Sequence, residues 1–424
     1  MLPKFILQSL KNTLWHKPLS LIARTINFFP DKKITIIGVT GTDGKTTTAT
    51  LIYHVLKNAG YKTSLISTVE AKIGDQTLDT GLHTTSPDKF KTFKLIRQMV
   101  KSGSQYLVAE VTAHAIDQHR FSNIIFDIGV LTNTSHEHLD DFVTMDNYIK
   151  TKVKLLKKSK YSITNKDDPS YQYIKSIKPV TYSIKETSQY QAKSIKNTPT
   201  QLSFTVDNTK FITDSNYKYQ TYNILAAYLV TKKLKINKNI FLSTIKNFPQ
   251  IKGRREELNV DPNIRTIVDF AHTPQALDVT LESLKKNIKG QLIVIFGATG
   301  GRDKGKRSAM GKAAYKHSDI AIITADDTRN EDINDINKQI ISGIPKDGLL
   351  LKSNQTKNIK PDHFAYFDIP NRQDAFNLAA KIAKQDDTII ACGKGHETTI
   401  LHGKTDYPWS EAEAFRMAFK QKNE

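Results

Sequence analysis

Residues able to do chemistry are densest in one run, Thr35-Ile36-Ile37-Gly38-Val39-Thr40-Gly41-Thr42-Asp43-Gly44-Lys45-Thr46-Thr47-Thr48. Gly41 and Gly44 break the apolar stretch, a lysine follows the second glycine, and three hydroxyls follow the lysine. If a helix starts there, its first N–H groups have no intrahelical acceptor and lie at the positive end of the helix dipole, so the loop is an anion site. Lys45 then reaches the β- and γ-phosphates of a nucleotide, and the Thr46 hydroxyl reaches Mg²⁺. The glycine usual five residues before Gly44 is replaced by Val39. The strand before the loop and the helix after it still imply a nucleoside triphosphate site.

Further chemistry is spread along the chain. Glu110 closes the apolar run from Tyr106 to Val111, where a second metal ligand belongs or an ordinary strand-end acid would sit. Thr132-Asn133-Thr134-Ser135-His136-Glu137-His138-Leu139-Asp140 gathers imidazoles and carboxylates. Beside a phosphate loop this suits Mg²⁺, with oxygen ligands and at most one imidazole, better than zinc. Lys150, Lys152 and Lys154 read, from the residues alone, as a solvated helix face. In the second half Asp269, Gly297 to Arg307, Asp326-Asp327-Thr328-Arg329 and Gly393-Lys394-Gly395-His396-Glu397 each follow an apolar run.

The elements that must position these residues alternate. Ile34–Val39 predicts a buried strand, and Leu51, Ile52, Val55, Leu56 and Ala59 recur at helical spacing before Gly60. Strands follow at 63–68, 106–111, 124–131 and 161–165, with helices near 89–101 and 145–156. Residues 171–215 read as a polar, peripheral antiparallel sheet. Lys252-Gly253-Arg254-Arg255-Glu256 marks a change of character. Beyond it strands at 266–269, 292–296, 320–324 and 388–392 alternate with helices near 274–286, 308–317, 331–342 and 372–384. The expected fold is α/β: an N-terminal helical segment (1–30), a central P-loop ATPase domain with a parallel sheet (31–250) and a doubly wound, Rossmann-like C-terminal domain (251–424). Ligands of open α/β sheets bind at the carboxyl ends of strands, so the second half carries a second binding face, opposite the nucleotide.

Composition narrows the classes. The chain has 424 residues, enough for two or three domains, and 38% of them are hydrophobic. The single cysteine, Cys392, rules out an intrachain disulfide framework and a cysteine-rich zinc module, and suits a cytoplasmic protein. The net charge of +20 is spread along the chain without an aromatic-basic RNA-binding signature, so it reads as a compositional habit tolerated by an enzyme of anionic nucleotides. Residues 1–30 are apolar but interrupted by Lys11, His16, Lys17 and Arg24, too often for a membrane span. They are expected to form one or two helices on the body, with a peripheral membrane role as the alternative.

The ordered motifs, from about residue 34 to 420, resemble the Mur ligases, ATP-dependent amide-forming enzymes of peptidoglycan precursor synthesis. Within that family the pattern is most similar to the branch that adds the third amino acid to UDP-N-acetylmuramoyl-dipeptide. The family also lacks the glycine replaced here by Val39. The resemblance implies that Gly41, Thr42, Asp43, Gly44, Lys45, Thr46, Thr47, Asn133, Asn165, Asp167, Arg254 and Asp269 frame ATP. It implies one Mg²⁺ held by Thr46 and Glu110 with the β/γ-phosphates and a second bound by His138, with Lys152 also in the metal set, and a catalytic set of Lys45, Glu110, His138 and Lys152. Lys152 matches the lysine that the family carbamylates with CO₂, which turns a cation into an anionic oxygen ligand.

For the UDP-MurNAc-peptide-like carboxylate, the resemblance implies Thr84, Thr85, Thr112, Gln118 and Arg120. For the incoming amino acid it implies Arg302, Asp326, Asp327, Arg329, Gly393 and Glu397. Relatives that use meso-diaminopimelate carry Asp-Asn-Pro-Arg where this chain has Asp326-Asp327-Thr328-Arg329. Diaminopimelate is the leading amino acid and lysine the second. Family members carry roughly a hundred residues of UDP-gripping domain before the loop, too large a fold for the thirty or so here. UDP is therefore expected either at a reduced site or not at all. The expected partners are these small molecules, with no nucleic acid and a monomeric chain. The alternatives are a folylpolyglutamate-synthetase-like ligase and, remotely, a basic P-loop ATPase acting on nucleic acid.

Overall fold

The computed structural model describes residues 12–74, 76–78, 88–137, 139–198, 200–215, 217–360 and 362–424. The chain forms two units, one of residues 1–135 and 141–248, the other of 136–140 and 249–424. The first runs α1 (Lys17–Ile26), β1 (Thr35–Thr40), α2 (Lys45–Asn58), β2 (Thr63–Ile66), β3 (Ala71–Ile73), β4 (Gln76–Leu78), α3 (Lys89–Lys101), β5 (Tyr106–Glu110), β6 (Phe126–Leu131), α4 (Met145–Lys157), β7 (Ser159–Asn165), β8 (Val180–Ser183) and β9 (Tyr190–Gln191). β10 (Lys193–Asn197), β11 (Leu202–Val206), β12 (Thr209–Thr213), α5 (Gln220–Lys233) and α6 (Lys238–Lys246) complete it.

β1 is the middle of the nine-stranded sheet β4-β3-β2-β5-β1-β6-β7-β8-β9. Ile36, Ile37 and Val39 have no exposed surface, because helices cover both faces of a parallel sheet. Each such side chain contributes about 1.5–3 kcal/mol by leaving water. Register fixes the neighbourhood of the loop: Val39 pairs with Glu110 of β5, and Thr40 with Leu131 of β6. α2 is buried nearly all round, packed between the sheet and α5, itself buried over most of its length. The side chains of Asp88, Thr144 and Thr273 cap the N-termini of α3, α4 and the helix at Pro274. α2 starts instead at Gly44, with no side-chain cap.

The segment read as a peripheral antiparallel sheet divides in two. β8 and β9 extend the large sheet in parallel, and only β10, β11 and β12 form an antiparallel sheet. Leu202, Phe204 and Val206 alternate inward, and Phe204 stacks on Phe211 with centroids 5.0 Å apart. Those rings pack toward α5 and α6 rather than lying at the surface.

The second unit runs β13 (Glu256–Leu258), β14 (Arg265–Asp269), α7 (Pro274–Lys285), β15 (Leu292–Phe296), α8 (Lys306–His317), β16 (Ile320–Ile323), α9 (Ile333–Ile341), β17 (Leu349–Leu351), β18 (Ala365–Asp368), α10 (Arg372–Ile382), β19 (Thr388–Cys392), the hairpin β20 (Thr399–His402) and β21 (Thr405–Pro408), and α11 (Glu411–Asn423). Its sheet is ordered β13-β14-β19-β15-β16-β18-β17, parallel except for β13. Edge strand β17, its neighbour β18 and helix α11 escape periodicity, since each is short or begins beside polar turns.

A buried ion pair ties the carboxyl ends of this sheet to its helices. Arg372 Nε donates to Glu411 Oε1 at 2.8 Å, Nη1 to the Ala325 carbonyl at 2.8 Å and Nη2 to the Cys392 carbonyl at 3.0 Å. Arg372→Met takes the cation from a buried carboxylate, which keeps only the Trp409 Nε1 donor, and a donor from each of two carbonyls, at a cost of about 3–5 kcal/mol. Urea unfolding measures it, and Arg372→Met/Glu411→Met is expected to recover part of the loss. A single-variant loss below about 1 kcal/mol would show that this pair is not structural.

Candidate functional site

In the first unit the glycine loop leaves β1 and enters α2 between the ends of β5 and β6. Gly44 has φ 78°, and a Cβ there would strike Asn223 Oδ1 of α5. A Cβ at Gly41 would strike the Thr132 hydroxyl. The loop is braced from the end of β6: Thr132 Oγ1 donates to the Asp43 carbonyl at 2.7 Å, and Asn133 Oδ1 accepts from Asp43 N at 2.8 Å. Asn133 O accepts from Thr42 N at 2.9 Å, and Ser135 N donates to Thr42 Oγ1 at 3.0 Å. The first turn of α2 is thereby held as an anion cradle.

Charged groups border the loop. Lys45 Nζ donates to the Thr42 carbonyl at 2.7 Å. Lys152, on α4 and only 2% exposed, donates to the Gly41 carbonyl at 2.6 Å, with its ammonium 4.5 Å from the Tyr148 ring centroid. It is buried at the loop while its neighbours Lys150 and Lys154 are exposed, so the solvated-face reading of the three lysines fails at Lys152. Glu110 is 1% exposed; its Oε2 accepts from Thr46 Oγ1 at 2.9 Å and Thr68 N at 3.0 Å, and its Oε1 from Thr68 Oγ1 at 2.8 Å.

The other predicted residues of this unit are more dispersed. Asn165 Oδ1 caps Asp167 N at 3.0 Å. Asp167 accepts from the N–H groups of Ile184, Lys185 and Glu186 and from the Tyr222 hydroxyl. Burial opposes its ionisation, but these donors pull its pKa below the ordinary carboxylate value. Thr112 caps the short helix Ala113–Asp117, and Gln118 Oε1 accepts from Arg120 Nη2 at 2.8 Å. Thr84, Thr85 and His138 lie outside the described residues. Thr47 starts α2 beside Lys45 and Thr46. Sequence reasoning missed the contributions of Thr68, Ser135 and Tyr148, because hydroxyls at strand ends carry no spacing signal.

In the second unit the decorated strand ends converge at β16 and β19. Lys394 has no exposed surface and binds Asp327 Oδ1 at 2.7 Å and Glu397 Oε2 at 2.5 Å. Burial works against its charge, but Asp326, Glu397 and Asp327 more than offset that and raise its pKa. Burial likewise opposes ionisation of Asp326, yet Lys394 and Arg372 hold its pKa below the ordinary value. Burial pushes Glu397 up, with Lys394 pulling against it. A Cβ on Gly393 would come within 2.7 Å of Asp326 Oδ2.

Arg329 sits at φ 52°, pinned by Arg329 N to Leu401 O at 3.2 Å and Gly403 N to Arg329 O at 2.7 Å. Its buried Nε has no hydrogen-bond partner. A guanidinium N–H left over on one strand-end loop, with three carboxylates and one lysine on the others, suits a zwitterion: an ammonium for the acids and a carboxylate for the arginine. Arg302 lies on the loop after β15, where Gly301 N donates to Glu331 Oε2 at 2.9 Å. Arg254 lies over the Phe270 ring, 4.2 Å from its centroid, and Asp269 accepts from Arg255 N and Ala271 N. Among the described residues no group of three or more His, Cys, Asp or Glu could hold a metal ion by itself.

Two family models match the chain: Mur ligase middle domain over residues 39–231 and Mur ligase, glutamate ligase domain over residues 253–395. The UDP-N-acetylmuramoyl-L-alanyl-D-glutamate--2,6-diaminopimelate ligase of Caldanaerobacter subterraneus subsp. tengcongensis is 36% identical over 397 residues, covering 91% of this chain and 79% of the relative. The chain belongs to the Mur ligases. A second such ligase, from Clostridium acetobutylicum, is 33% identical over 93% of this chain and 80% of its own. A solved diaminopimelate ligase structure of that description aligns with TM-score 0.62 at 24% identity, over 98% of this chain and 83% of its own. The Mycobacterium tuberculosis folylpolyglutamate synthase, complexed with ADP and AMPPCP, aligns with TM-score 0.69 at 12% identity, over 89% and 92%. The α/β architecture is thus that of Mur ligases and their folylpolyglutamate relatives.

Two predictions follow from the geometry of this Mur ligase. Gly44→Ala places an L residue at φ 78° against Asn223, so about 1–2 kcal/mol of strain enters the loop and ADP affinity falls about tenfold. Gly103→Ala, at φ 79° with only Lys62 nearby, is the control, and calorimetry is expected to show unchanged ADP binding. The second concerns Glu331, whose pKa its hydrogen bonds with buried Arg307 hold well below the ordinary carboxylate range. A depressed folded pKa gives stability that is complete above the unfolded value and lost as pH falls. The melting-temperature gap between the parent and Glu331→Gln is therefore expected to be full near pH 7 and to shrink below about pH 5. A gap independent of pH would remove this ion pair from the account.

Proposed function

We propose that this Mur ligase activates the free carboxylate of a UDP-MurNAc-L-Ala-D-Glu-like substrate with ATP and joins it to a diamino acid, with meso-diaminopimelate favoured over lysine. The observation that carries the reading is the loop at Gly44 with the Thr46 hydroxyl 2.9 Å from the buried Glu110 carboxylate. The diaminopimelate ligases similar to this chain over most of their length support the choice of acceptor. Likeness in fold to folylpolyglutamate synthase gives no substrate, since it stands at 12% identity.

The donor set fits magnesium, because Thr46 and Glu110 offer oxygen only, on two adjacent rigid elements. When bound there, the ion would neutralise charge on the phosphates. The backbone N–H groups of the loop orient the triphosphate. Lys45 exchanges the Thr42 carbonyl for a phosphate oxygen and stabilises the transferring phosphoryl group. The acceptor carboxylate attacks the γ-phosphorus, giving an acyl phosphate and ADP. Thr112, Gln118 and Arg120 hold that acceptor, joined by Thr84 and Thr85.

The amine of the second substrate attacks the acyl carbon, and phosphate leaves as the amide forms. Asp326, Asp327 and Glu397 hold the ammonium end of the diamino acid, while Arg302 and Arg329 bind a carboxylate, with Gly393 keeping space beside Asp326. Lys152, buried at the Gly41 carbonyl, is the carbamylation site, and His138 a further magnesium ligand. Asn133, Asn165, Asp167, Arg254 and Asp269 frame the nucleotide. The enzyme acts as a monomer in the cytoplasm, in peptidoglycan precursor synthesis. Among the described residues no helix is long and apolar enough to cross a membrane.

Phosphate release from ATP is expected only when UDP-MurNAc-L-Ala-D-Glu and a diamino acid are both present. Diaminopimelate should give a higher kcat/KM than lysine. Release that ignores the amine would end the ligase reading. Lys152→Ala is expected to lose turnover at least about a hundredfold without rescue by bicarbonate, as for a missing transition-state stabiliser. A fully active variant would remove the carbamate from the proposal.

A further inference from the structure

α1 is built inside out. Its inward side carries the small residues Ser20 and Ala23, whereas Leu21, Ile22 and Ile26 are 48%, 48% and 59% exposed. In the turn before it Leu14 and Trp15 are 73% and 63% exposed. A helix that only had to dock on the body would turn its large residues inward, because burying them is what stabilises docking. Helical spacing gathers Pro18, Leu21, Ile22 and Ile26 on the outer side. Just beyond, Phe28 and Phe29 both adopt left-handed φ, 61° and 50°, which L residues rarely do. Phe28 is thereby held outward, beneath the Arg97 guanidinium 4.8 Å from its ring centroid. The result is a run of exposed apolar side chains of the kind that marks an interaction surface.

Cations predominate beside it. His119 is pushed down to about 4, first by burial and then by Lys158, Lys154, Lys17 and His16. Lys89 Nζ lies 2.7 Å from His16 Nδ1 and feels Arg120 as well. The nearby acids are already engaged: Asp31 by Arg24, Asp117 by Asn12, and Asp88 as the cap of α3. A second copy of the chain docking through this face would bring two such cationic clusters together. A polyanionic surface with an apolar interior meets both features at once.

We propose that α1 and the Leu14-Trp15 turn seat the chain on a membrane surface carrying anionic lipid headgroups. The apolar side chains enter the boundary between headgroups and acyl chains, with Trp15 at headgroup depth, while Lys17, Lys154 and Lys158 face the lipid phosphates. This is attachment in the plane of the interface, and it stands independently of the ligase reading.

The test is co-sedimentation of the full chain with vesicles of phosphatidylcholine, and with vesicles in which about one-quarter is phosphatidylglycerol. Binding is expected to the anionic vesicles and to fall as salt rises from about 0.1 M to about 1 M, where screening shortens to about 3 Å. Lys17→Glu/Lys158→Glu is expected to weaken binding at least about tenfold. Leu21→Gln/Ile22→Gln/Ile26→Gln, all at exposed positions, should abolish it with an unchanged circular dichroism spectrum.

Because the chain has only two tryptophans, Trp15 and Trp409, a blue shift of emission on adding anionic vesicles is expected and should vanish in Trp15→Phe, which still sediments. That variant keeps the test usable if the triple variant unfolds. Failure to sediment with either vesicle, or equal binding by the parent and both multiple variants, would overturn the proposal. So would a lipid-free dimer that the triple variant dissociates, since a second copy would then be the occupant.

Discussion

The Glu110 carboxylate sits at the tip of β5 with almost no exposed surface, and it is held by three donors from two other elements. The Thr46 hydroxyl comes from the first turn of α2, and the Thr68 N–H and hydroxyl come from the loop after β2. A buried charge is tolerated only when its hydrogen-bonding capacity is filled, so this one carboxylate fixes three segments together. The position of α2 and the aim of its N-terminus follow from that constraint. So does the shape of the glycine loop, since Thr132 and Asn133 close it from the other side.

The second unit solves a comparable problem with opposite means. Its strand ends carry carboxylates, and Lys394 and Arg372 lie fully buried among them. The cations hold the pKa of Asp326 below the ordinary value in a place where burial pushes it up. Arg329 stands apart, with a strained backbone and an Nε that the protein leaves without an acceptor. Stable interiors rarely leave such a donor over, and backbone strain of this kind gathers where ligands bind. Asp327 is held locally, its Oδ1 accepting from Lys394 Nζ and from Leu401 N.

The helix starts and strand ends of the two units suit different kinds of ligand. The first unit leaves the N-terminus of α2 without a side-chain cap, whereas its neighbours α3 and α4 have one. An uncapped, backbone-lined start suits a phosphate group, which brings its own acceptors. Strand ends rich in acids and one spare guanidinium suit an amino acid, which brings both charges.

The sequence by itself determined the order of the elements, the anion loop and its lysine, and the family. These rest on local periodicity and on glycines whose positive φ no other residue takes cheaply, and both are written in contiguous residues. It offered Glu110 as a second metal ligand or an ordinary strand-end acid, and the pairing of β5 with β1 placed that carboxylate beside the loop. Residue type left Lys150, Lys152 and Lys154 alike and the family resemblance singled out Lys152, but only the tertiary structure buried it at the loop. Burial there depends on which face of α4 meets the sheet. It also revealed Thr68, Asn223 and Ser135 as parts of the brace, and turned the large residues of α1 outward. Contacts between residues far apart in the chain decide such matters, and the local sequence carries no trace of the distance they close.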